Sequence, residues 1–235
     1  MFIEVGLFEA GNNKLKVKIC GVTRPQDIIS CSNLGIDAVG FLLGDRFGRY
    51  PSDKLSLMEV ANLINLVPND MTSVVLIKSV DKEEIISIIE KTEPNAIQLQ
   101  NPLISSETLK FLFHTYTKVE FIKTIKIQET DNVNSILLNA LPFTKMVDAF
   151  LLDSARGGSG KTHNWNISKE VVGYLHSLKI PVVLAGGLTT NNVLHSVNLV
   201  KPNMIDLMTG VSLERGIKNI DEIKKLQNIL KLNEL

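Results

Sequence analysis

Cys20 is the first residue whose position in the sequence points to chemistry. It ends the run Val17-Lys18-Ile19 and is followed by Gly21 and then by Pro25–Leu34, which has the pattern of a helix. An α/β enzyme places reactive groups where a strand ends and the chain turns toward the next helix. The pattern therefore predicts a reactive thiol at Cys20, although a lone cysteine is more often a small buried apolar side chain.

Polar residues and glycines follow later apolar runs in the same way. Asp153 comes directly after Ala149–Leu152, where its simplest role would be a turn or a helix cap. The other residues at such points are Arg46, Arg49, Gln98, Gln100, Gly157, Gly158, Gly186, Gly187, Asp206, Thr209 and Gly210. If the runs are parallel strands, one face of the protein collects a thiol, a carboxylate, a guanidinium group and several glycine turns.

The glycine turns predict a phosphate-binding cradle. Loops without bulky side chains let backbone N–H groups approach an anion, and barrels commonly use the loops after strands seven and eight for this purpose. Gly186-Gly187 and Thr209-Gly210 lie in those two loops. Glycine also closes ordinary tight turns, which is the competing explanation. The segment Gly157–Thr162 differs from a P-loop because position 155 is Ala, and we interpret it as a mobile loop that covers substrate.

Short β-branched runs alternate with amphipathic segments, as expected for parallel strands joined by crossover helices. The predicted strands are Val17–Cys20, Ala38–Leu43, Ser73–Ile77, Ala96–Leu99, Val119–Ile125, Ala149–Leu152, Pro181–Ala185 and Met204–Leu207. The predicted helices are Pro25–Leu34, Ser56–Leu66, Lys82–Lys91, Ser106–Thr115, Asn132–Ala140, Ser168–Leu178, Asn191–Val200 and Asp221–Leu232. This alternation predicts an α/β fold, a single-domain (β/α)8 TIM barrel, with an open doubly wound sheet as the competitor.

The sequence predicts one domain with a short N-terminal extension. No linker or low-complexity tract divides residues 1–235, so we predict one domain. Residues 1–15 form a short N-terminal extension, either a hairpin or a plug at the barrel bottom around Gly11-Asn12-Asn13. Met1–Lys14 lacks the basic start and apolar core of a signal peptide, which predicts a cytoplasmic protein.

Composition argues against several classes of partner. The 25 basic and 25 acidic residues cancel, and no basic block or aromatic-basic pattern suggests a nucleic acid or a membrane. The two cysteines and four histidines lack metal-ligand spacing. His163, close to Trp165 and to the glycine loop, is the histidine nearest to the predicted site. Cys31 falls within the first helix and is predicted to be part of the core.

Several motifs in chain order resemble those of the phosphoribosylanthranilate isomerase family. They are Lys18-Ile19-Cys20-Gly21-Val22-Thr23, Ala38-Val39-Gly40-Phe41, Asn95-Ala96-Ile97-Gln98-Leu99, Leu151-Leu152-Asp153-Ser154 with Gly157-Gly158-Ser159-Gly160 and Trp165, Leu184-Ala185-Gly186-Gly187-Leu188 with Asn192-Val193, and Asp206 with Gly210-Val211. The resemblance runs from Lys16 to about Lys225. It implies a (β/α)8 barrel and a cofactor-free isomerisation in tryptophan biosynthesis, in which an N-(5-phosphoribosyl)anthranilate becomes an aminoketose phosphate.

The resemblance also implies roles for individual residues. Cys20 would be the general base, Asp153 the general acid, and Arg49, with Arg46 as a rival, would pair with the anthranilate carboxylate. The residues expected to bind substrate are Arg49, Gln98, Gly157, Gly158, Gly186, Gly187, Asp206, Thr209 and Gly210. The expected partner is a small phosphorylated substrate, with no cofactor and no metal, and the protein is expected to be a monomer or a homodimer.

The chain departs from the family pattern at several positions. Gln100-Asn101 replace His-Gly, Met208-Thr209-Gly210-Val211-Ser212 replace Ser-Ser-Gly-Val-Glu, and Lys218-Asn219 replace Lys-Asp. A diverged paralogue that acts on another phosphosugar, or a non-catalytic binder of phosphoribosyl ligands, is therefore the alternative function.

Overall fold

The fold is a closed barrel of strands surrounded by helices. The computed structural model describes residues 6–8, 14–44, 55–154 and 162–233. The barrel strands are β1 (Lys16–Cys20), β2 (Ala38–Leu42), β3 (Thr72–Ile77), β4 (Ala96–Leu99), β5 (Glu120–Ile127), β6 (Ala149–Ser154), β7 (Val182–Leu184) and β8 (Met204–Leu207). The helices are α1 (Pro25–Asn33), α2 (Leu57–Ile64), α3 (Lys82–Thr92), α4 (Ser106–Thr115), α5 (Val133–Ala140), α6 (Trp165–Ser177), α7 (Val193–Val200) and α8 (Ile220–Leu232).

Parallel pairing between the first and last strands closes the sheet. Lys18 on β1 is in register with Ala38 on β2 and with Asp206 on β8. Neighbouring strands in space follow chain order all the way round. This arrangement confirms the predicted (β/α)8 barrel and excludes the open doubly wound sheet.

The two faces of the sheet build two apolar layers. Along each strand, alternate side chains point into the barrel, and small residues such as Ala38, Ala96 and Ala149 line its interior. The opposite face packs against the helices in a larger layer that includes Cys31, as predicted. Six of these helices begin at polar caps whose side chains accept a backbone N–H, namely Ser56, Asp81, Ser105, Asn132, Asn164 and Asn219.

Three predicted boundaries were wrong in ways that affect the site. β5 continues past Ile125, and β6 continues past Leu152, because their pairing extends through Lys126 with Asp153 and Ile127 with Ser154. Helix α6 begins at Trp165, three residues before the predicted start at Ser168. A short antiparallel hairpin, β9 (Ser212–Glu214) and β10 (Ile217–Lys218), follows β8 and was not predicted.

A part of the N-terminal extension contacts the bottom of the barrel. Leu7 is buried among the residues of the barrel interior, and the N–H groups of Leu7 and Phe8 donate to the Glu120 carboxylate. Lys16 donates to the Leu7 carbonyl oxygen. Residues 6–8 therefore act as a plug, while Gly11-Asn12-Asn13, where the plug was predicted, lies outside the described residues. The domain bounds 1–235 and 1–15 stay predictions.

In the described ranges, no helix combines the length and apolar character that crossing a bilayer requires.

We expect Leu7→Ala to destabilise the protein, because it opens a cavity at the bottom of the barrel. The free energy of unfolding should fall by about 2–4 kcal/mol in urea denaturation. Leu138→Ala is the control, since Leu138 lies on α5 and is 72% exposed. Equal stability of the two variants would show that the plug does not contribute to the fold.

Candidate active site

A cavity of about 760 Å³ opens at the carboxyl ends of the barrel strands. Its size is that of a small-molecule site, and its place is where barrel enzymes carry out chemistry. The cavity walls combine one thiol, the three carboxylates of Asp153, Asp206 and Glu214, and the glycine turns after β7 and β8. Position and composition make it the candidate active site.

Most of the predicted site residues meet in this cavity. Those that line it are Cys20, Gln98, Asp153, Gly186, Gly187, Asp206, Thr209 and Gly210. Arg49, its rival Arg46, and the loop glycines Gly157 and Gly158 lie outside the described residues, as does most of the segment interpreted as a substrate-covering loop. The individual roles assigned to all these residues stay predictions.

The Cys20 thiol lies at the end of β1, opposite a glycine on β2. A Cβ atom at Gly40 would lie 2.8 Å from Cys20 Sγ and 3.1 Å from Lys18 Nζ, so only glycine leaves room for both side chains. Burial raises the pKa of the Cys20 thiol to about 11, against the opposing attraction of the Lys18 and Lys218 ammonium groups. Without a ligand, the thiol is therefore protonated near neutral pH.

A buried polar network lies directly beneath the thiol. The Lys18 ammonium, fully buried, forms an ion pair with Asp206 at 2.8 Å and donates to Gln98 Oε1 at 3.1 Å. Gln98 Nε2 in turn donates to Thr124 Oγ1. Burial alone would lower the pKa of Lys18, but the attraction of Asp206 and Cys20 outweighs it and raises that pKa. The network therefore holds a positive charge inside the barrel, next to Cys20.

Asp153 lies within β6, not in a turn after it. Its side chain points into the barrel from the last part of the strand, and its Oδ2 accepts a hydrogen bond from Lys126 Nζ at 3.0 Å. Lys126 is its register partner on β5. The cap or turn role that the sequence left open for Asp153 is thus wrong, because the strand continues through it.

The glycine turns after β7 and β8 are in contact with each other. Gly186 and Gly187 have φ values of 85° and 67°, which favour glycine, and a Cβ at Gly186 would lie 2.6 Å from the Ser154 backbone nitrogen. A Cβ at Gly210 would lie 2.1 Å from the Leu188 carbonyl oxygen. The close approach exposes two glycine-rich backbone turns to one side of the cavity, as an anion cradle requires.

The departures from the family pattern also surround the cavity. Gln100 and Asn101 line it beyond β4, and Met208 lines it beyond β8. Met208 packs against Gly21, where a Cβ would lie 3.0 Å from its methyl carbon. Ser212, the first residue of β9, donates to the Met208 carbonyl oxygen at 2.7 Å and also lines the cavity.

Three lysines of the site were missed as functional residues. Lys18 lies on the inner face two residues from Cys20, so the period of two in a strand could have revealed it, whereas Lys126 lies beyond the predicted end of β5 at Ile125. Lys218 lies on the hairpin that was not predicted, and its Nζ donates to the Cys20 carbonyl oxygen at 2.5 Å. No local sequence pattern predicts that contact, because Lys218 and Cys20 are 198 residues apart in the sequence.

His163 lies next to the site without forming a metal centre. Its Nε2 bonds Ser168 Oγ at 2.7 Å, and burial lowers its pKa to about 4, opposed by attraction to Asp153. Across the described part of the chain, no group of three or more histidine, cysteine, aspartate or glutamate residues could hold a metal ion.

The fold and the site together define a (β/α)8-barrel enzyme. Residues 17–228 match the model of the N-(5'-phosphoribosyl)anthranilate isomerase family. The N-(5'-phosphoribosyl)anthranilate isomerase of Methanocella arvoryzae is 33% identical over 217 residues, covering 89% of this chain and 95% of that protein. The chain therefore belongs to the N-(5'-phosphoribosyl)anthranilate isomerase family.

Solved structures share the fold. The phosphoribosyl anthranilate isomerase of Thermus thermophilus superposes with a TM-score of 0.77 at 22% identity, covering 93% of this chain and all of that chain. A second phosphoribosyl anthranilate isomerase, in complex with reduced 1-(o-carboxyphenylamino)-1-deoxyribulose 5-phosphate, gives 0.73 at 24% identity, with 92% and 98% coverage.

The depressed pKa of His163 predicts acid sensitivity. Between pH 6.5 and 4 the unfolded chain binds a proton at this residue that the folded protein excludes, so stability falls as the pH is lowered through that window. The contribution is on the order of 3 kcal/mol. His163→Gln should flatten the pH dependence of urea unfolding between pH 6.5 and 4, whereas His114→Gln, at an exposed site, should not. Parallel curves for His163→Gln and the unchanged protein would contradict the assignment.

Proposed function

We propose that this chain converts N-(5-phosphoribosyl)anthranilate into 1-(o-carboxyphenylamino)-1-deoxyribulose 5-phosphate, a step of tryptophan biosynthesis. The observation that carries the proposal is that a thiol, Cys20, and a carboxylate, Asp153, face one cavity beside two contacting glycine turns. The family to which the chain belongs supports the same reaction.

The reaction is an Amadori rearrangement and needs one acid and one base. The acid protonates the ring oxygen of the ribosylamine, the C1–O bond breaks, and the open chain becomes a protonated Schiff base. The base then removes the proton on C2, leaving an enol-amine that gains a proton at C1 and loses the proton of its C2 hydroxyl group to become the aminoketose. Every step is a proton transfer or a bond cleavage coupled to one, so two positioned titratable groups are enough.

Cys20 is the proposed base. It ends β1 at the floor of the cavity, where a bound sugar would pass over the thiol. The thiol must lose its proton before it can accept one from C2, and burial opposes that loss. Lys18, directly beneath it, supplies part of the compensating positive charge.

Asp153 is the proposed acid, together with the ammonium group of Lys126. Lys126 Nζ lies 3.0 Å from Asp153 Oδ2, so its ammonium group holds a proton within reach of the carboxyl group. A proton passed from Lys126 Nζ to Asp153 and on to the ring oxygen would leave neutral lysine and an ionised carboxylate. Lys126 thus supplies the proton, and Asp153 delivers it to the ring oxygen.

The remaining roles concern substrate binding. The backbone of Gly186, Gly187, Thr209 and Gly210 would hold the phosphate. Among the described residues, Asp206 Oδ1 is buried without a hydrogen-bond partner, and we assign it a sugar hydroxyl as donor.

Some roles depend on residues outside the described ranges. Arg49 would bind the anthranilate carboxylate, and Gly157 and Gly158 would contribute to substrate binding. Gln98 would support the site through Lys18, to which its side chain is bonded.

The wider expectations follow from this reaction. An Amadori rearrangement transfers protons without an external cofactor, so none is expected. A small phosphorylated substrate is the proposed partner. The oligomeric state, monomer or homodimer, and the cytoplasmic location stay predictions.

Cys20→Ala and Asp153→Asn should each reduce turnover by at least about 10²-fold, because each removes one proton-transfer group. The measurement is the decay of anthranilate fluorescence after mixing with freshly generated phosphoribosylanthranilate, with thermal unfolding recorded alongside. Cys31→Ala is the matched control, since Cys31 lies in the outer core and should be dispensable for turnover. Full turnover by both site variants would refute the assignment. Activity on another phosphosugar alone would favour the diverged paralogue.

A further inference from the structure

One buried cation near Cys20 has no carboxylate at ion-pair distance among the described residues. Among the described residues, three carboxylates in this region each have a cationic partner: Asp206 with Lys18, Asp153 with Lys126, and Asp27 with Arg24. The ammonium group of Lys218 has no such partner in the same set. With a neutral thiol, the seven charged groups therefore sum to one positive charge.

Lys218 is also buried, so solvent does not screen the charge of its ammonium group. The residue is 2% exposed, and the acceptors of its ammonium group in the described part of the chain are two neutral oxygens. These are the Cys20 carbonyl oxygen at 2.5 Å and Ser212 Oγ at 3.0 Å. A buried cation that has only neutral acceptors is costly unless a negative charge forms nearby.

The thiol of Cys20 is the group that can supply this negative charge. We propose that Lys218 is a positioning residue that acts through Cys20: its buried ammonium, held at the end of β1 by the β9–β10 hairpin, is the counter-charge reserved for the Cys20 thiolate. The inference deepens the proposed function and, for its catalytic consequence, rests on it. Formation of the thiolate makes the group of eight charges neutral.

The surroundings support this coupling from every side. Lys18 lies on the same strand as the thiol, Asp206 on β8, and Cys31 and Asp27 on α1, which packs against the hairpin through Asp27 and Lys218. Burial lowers the pKa of Lys218, and attraction to Cys20, the largest opposing effect, raises it. Lys218 reciprocally favours the ionised form of Cys20.

The geometry also explains why the charge stays in place. Ser212 accepts from Lys218 while donating to the Met208 carbonyl oxygen, which ties the hairpin to the end of β8. The two strands of the hairpin pair Lys218 with Ser212 in register. Lys218 is therefore fixed at both the backbone and the ammonium end.

The test measures thiol reactivity without substrate. Each protein is treated with iodoacetamide at pH 8, and alkylation of the peptide containing Cys20 is followed by mass spectrometry. Lys218→Met should slow alkylation at least about threefold, because the thiolate fraction falls tenfold for each unit of pKa while intrinsic nucleophilicity partly compensates. Turnover should show a lower kcat with KM changed less than about twofold.

Two further variants separate charge from structure. Lys218→Arg keeps the charge and should restore most of the alkylation rate, whereas Lys224→Met, at an exposed position of α8, should leave it unchanged. Ser212→Glu keeps Lys218 but places a carboxylate beside it, and should also slow alkylation. If Lys218→Met does not fold, the alkylation rate of Ser212→Glu tests the proposal in its place.

Equal alkylation rates in Lys218→Met, Ser212→Glu and the unchanged protein would overturn the proposal. A rate that Lys218→Arg fails to restore at all, with folding intact, would also count against a role of charge. If alkylation depends on Lys218 but no variant, nor the unchanged protein, turns over phosphoribosylanthranilate, the proposed function fails while this inference stands.

Discussion

The ion pair between Lys18 and Asp206 is the interaction on which the site depends. It joins the first and last strands of the barrel, inside the sheet, with both side chains nearly removed from water. A buried ion pair contributes little net stability, because desolvating two charges offsets most of their attraction. Its effect is instead to fix a positive charge at one depth in the barrel, one residue layer below the thiol.

Small residues make room for that charge. Gly40 has no side chain where Lys18 and Cys20 pass, and alanines on β2, β4 and β6 line the barrel interior below. Larger side chains at these positions would fill the interior with hydrocarbon, as in most barrels. The same use of space recurs above, where Gly186 lets the turn after β7 approach the end of β6, and Gly210 lets the turn after β8 approach the turn after β7. The site therefore depends on glycine and alanine positions that leave space, as well as on the reactive side chains.

Much of this architecture is predictable from local sequence patterns. The remainder could not be predicted, because it depends on contacts between residues that are distant in sequence. The alternation of strands and helices and the positions of Cys20, Gly186 and Gly210 depend on neighbours in sequence. Lys126 was missed because β5 and β6 extend only through their mutual pairing, which a propensity pattern of either strand does not contain. Lys218 was missed because its partner Cys20 is distant in sequence and the hairpin that carries it has two very short strands.

A crystal structure of this protein with reduced 1-(o-carboxyphenylamino)-1-deoxyribulose 5-phosphate bound would test the central claim most directly. The account predicts the phosphate against the backbone of Gly186, Gly187 and Gly210, and C2 of the ligand about 3–4 Å from Cys20 Sγ. A phosphate bound on the opposite side of the cavity, or a C2 atom out of reach of the thiol, would contradict it.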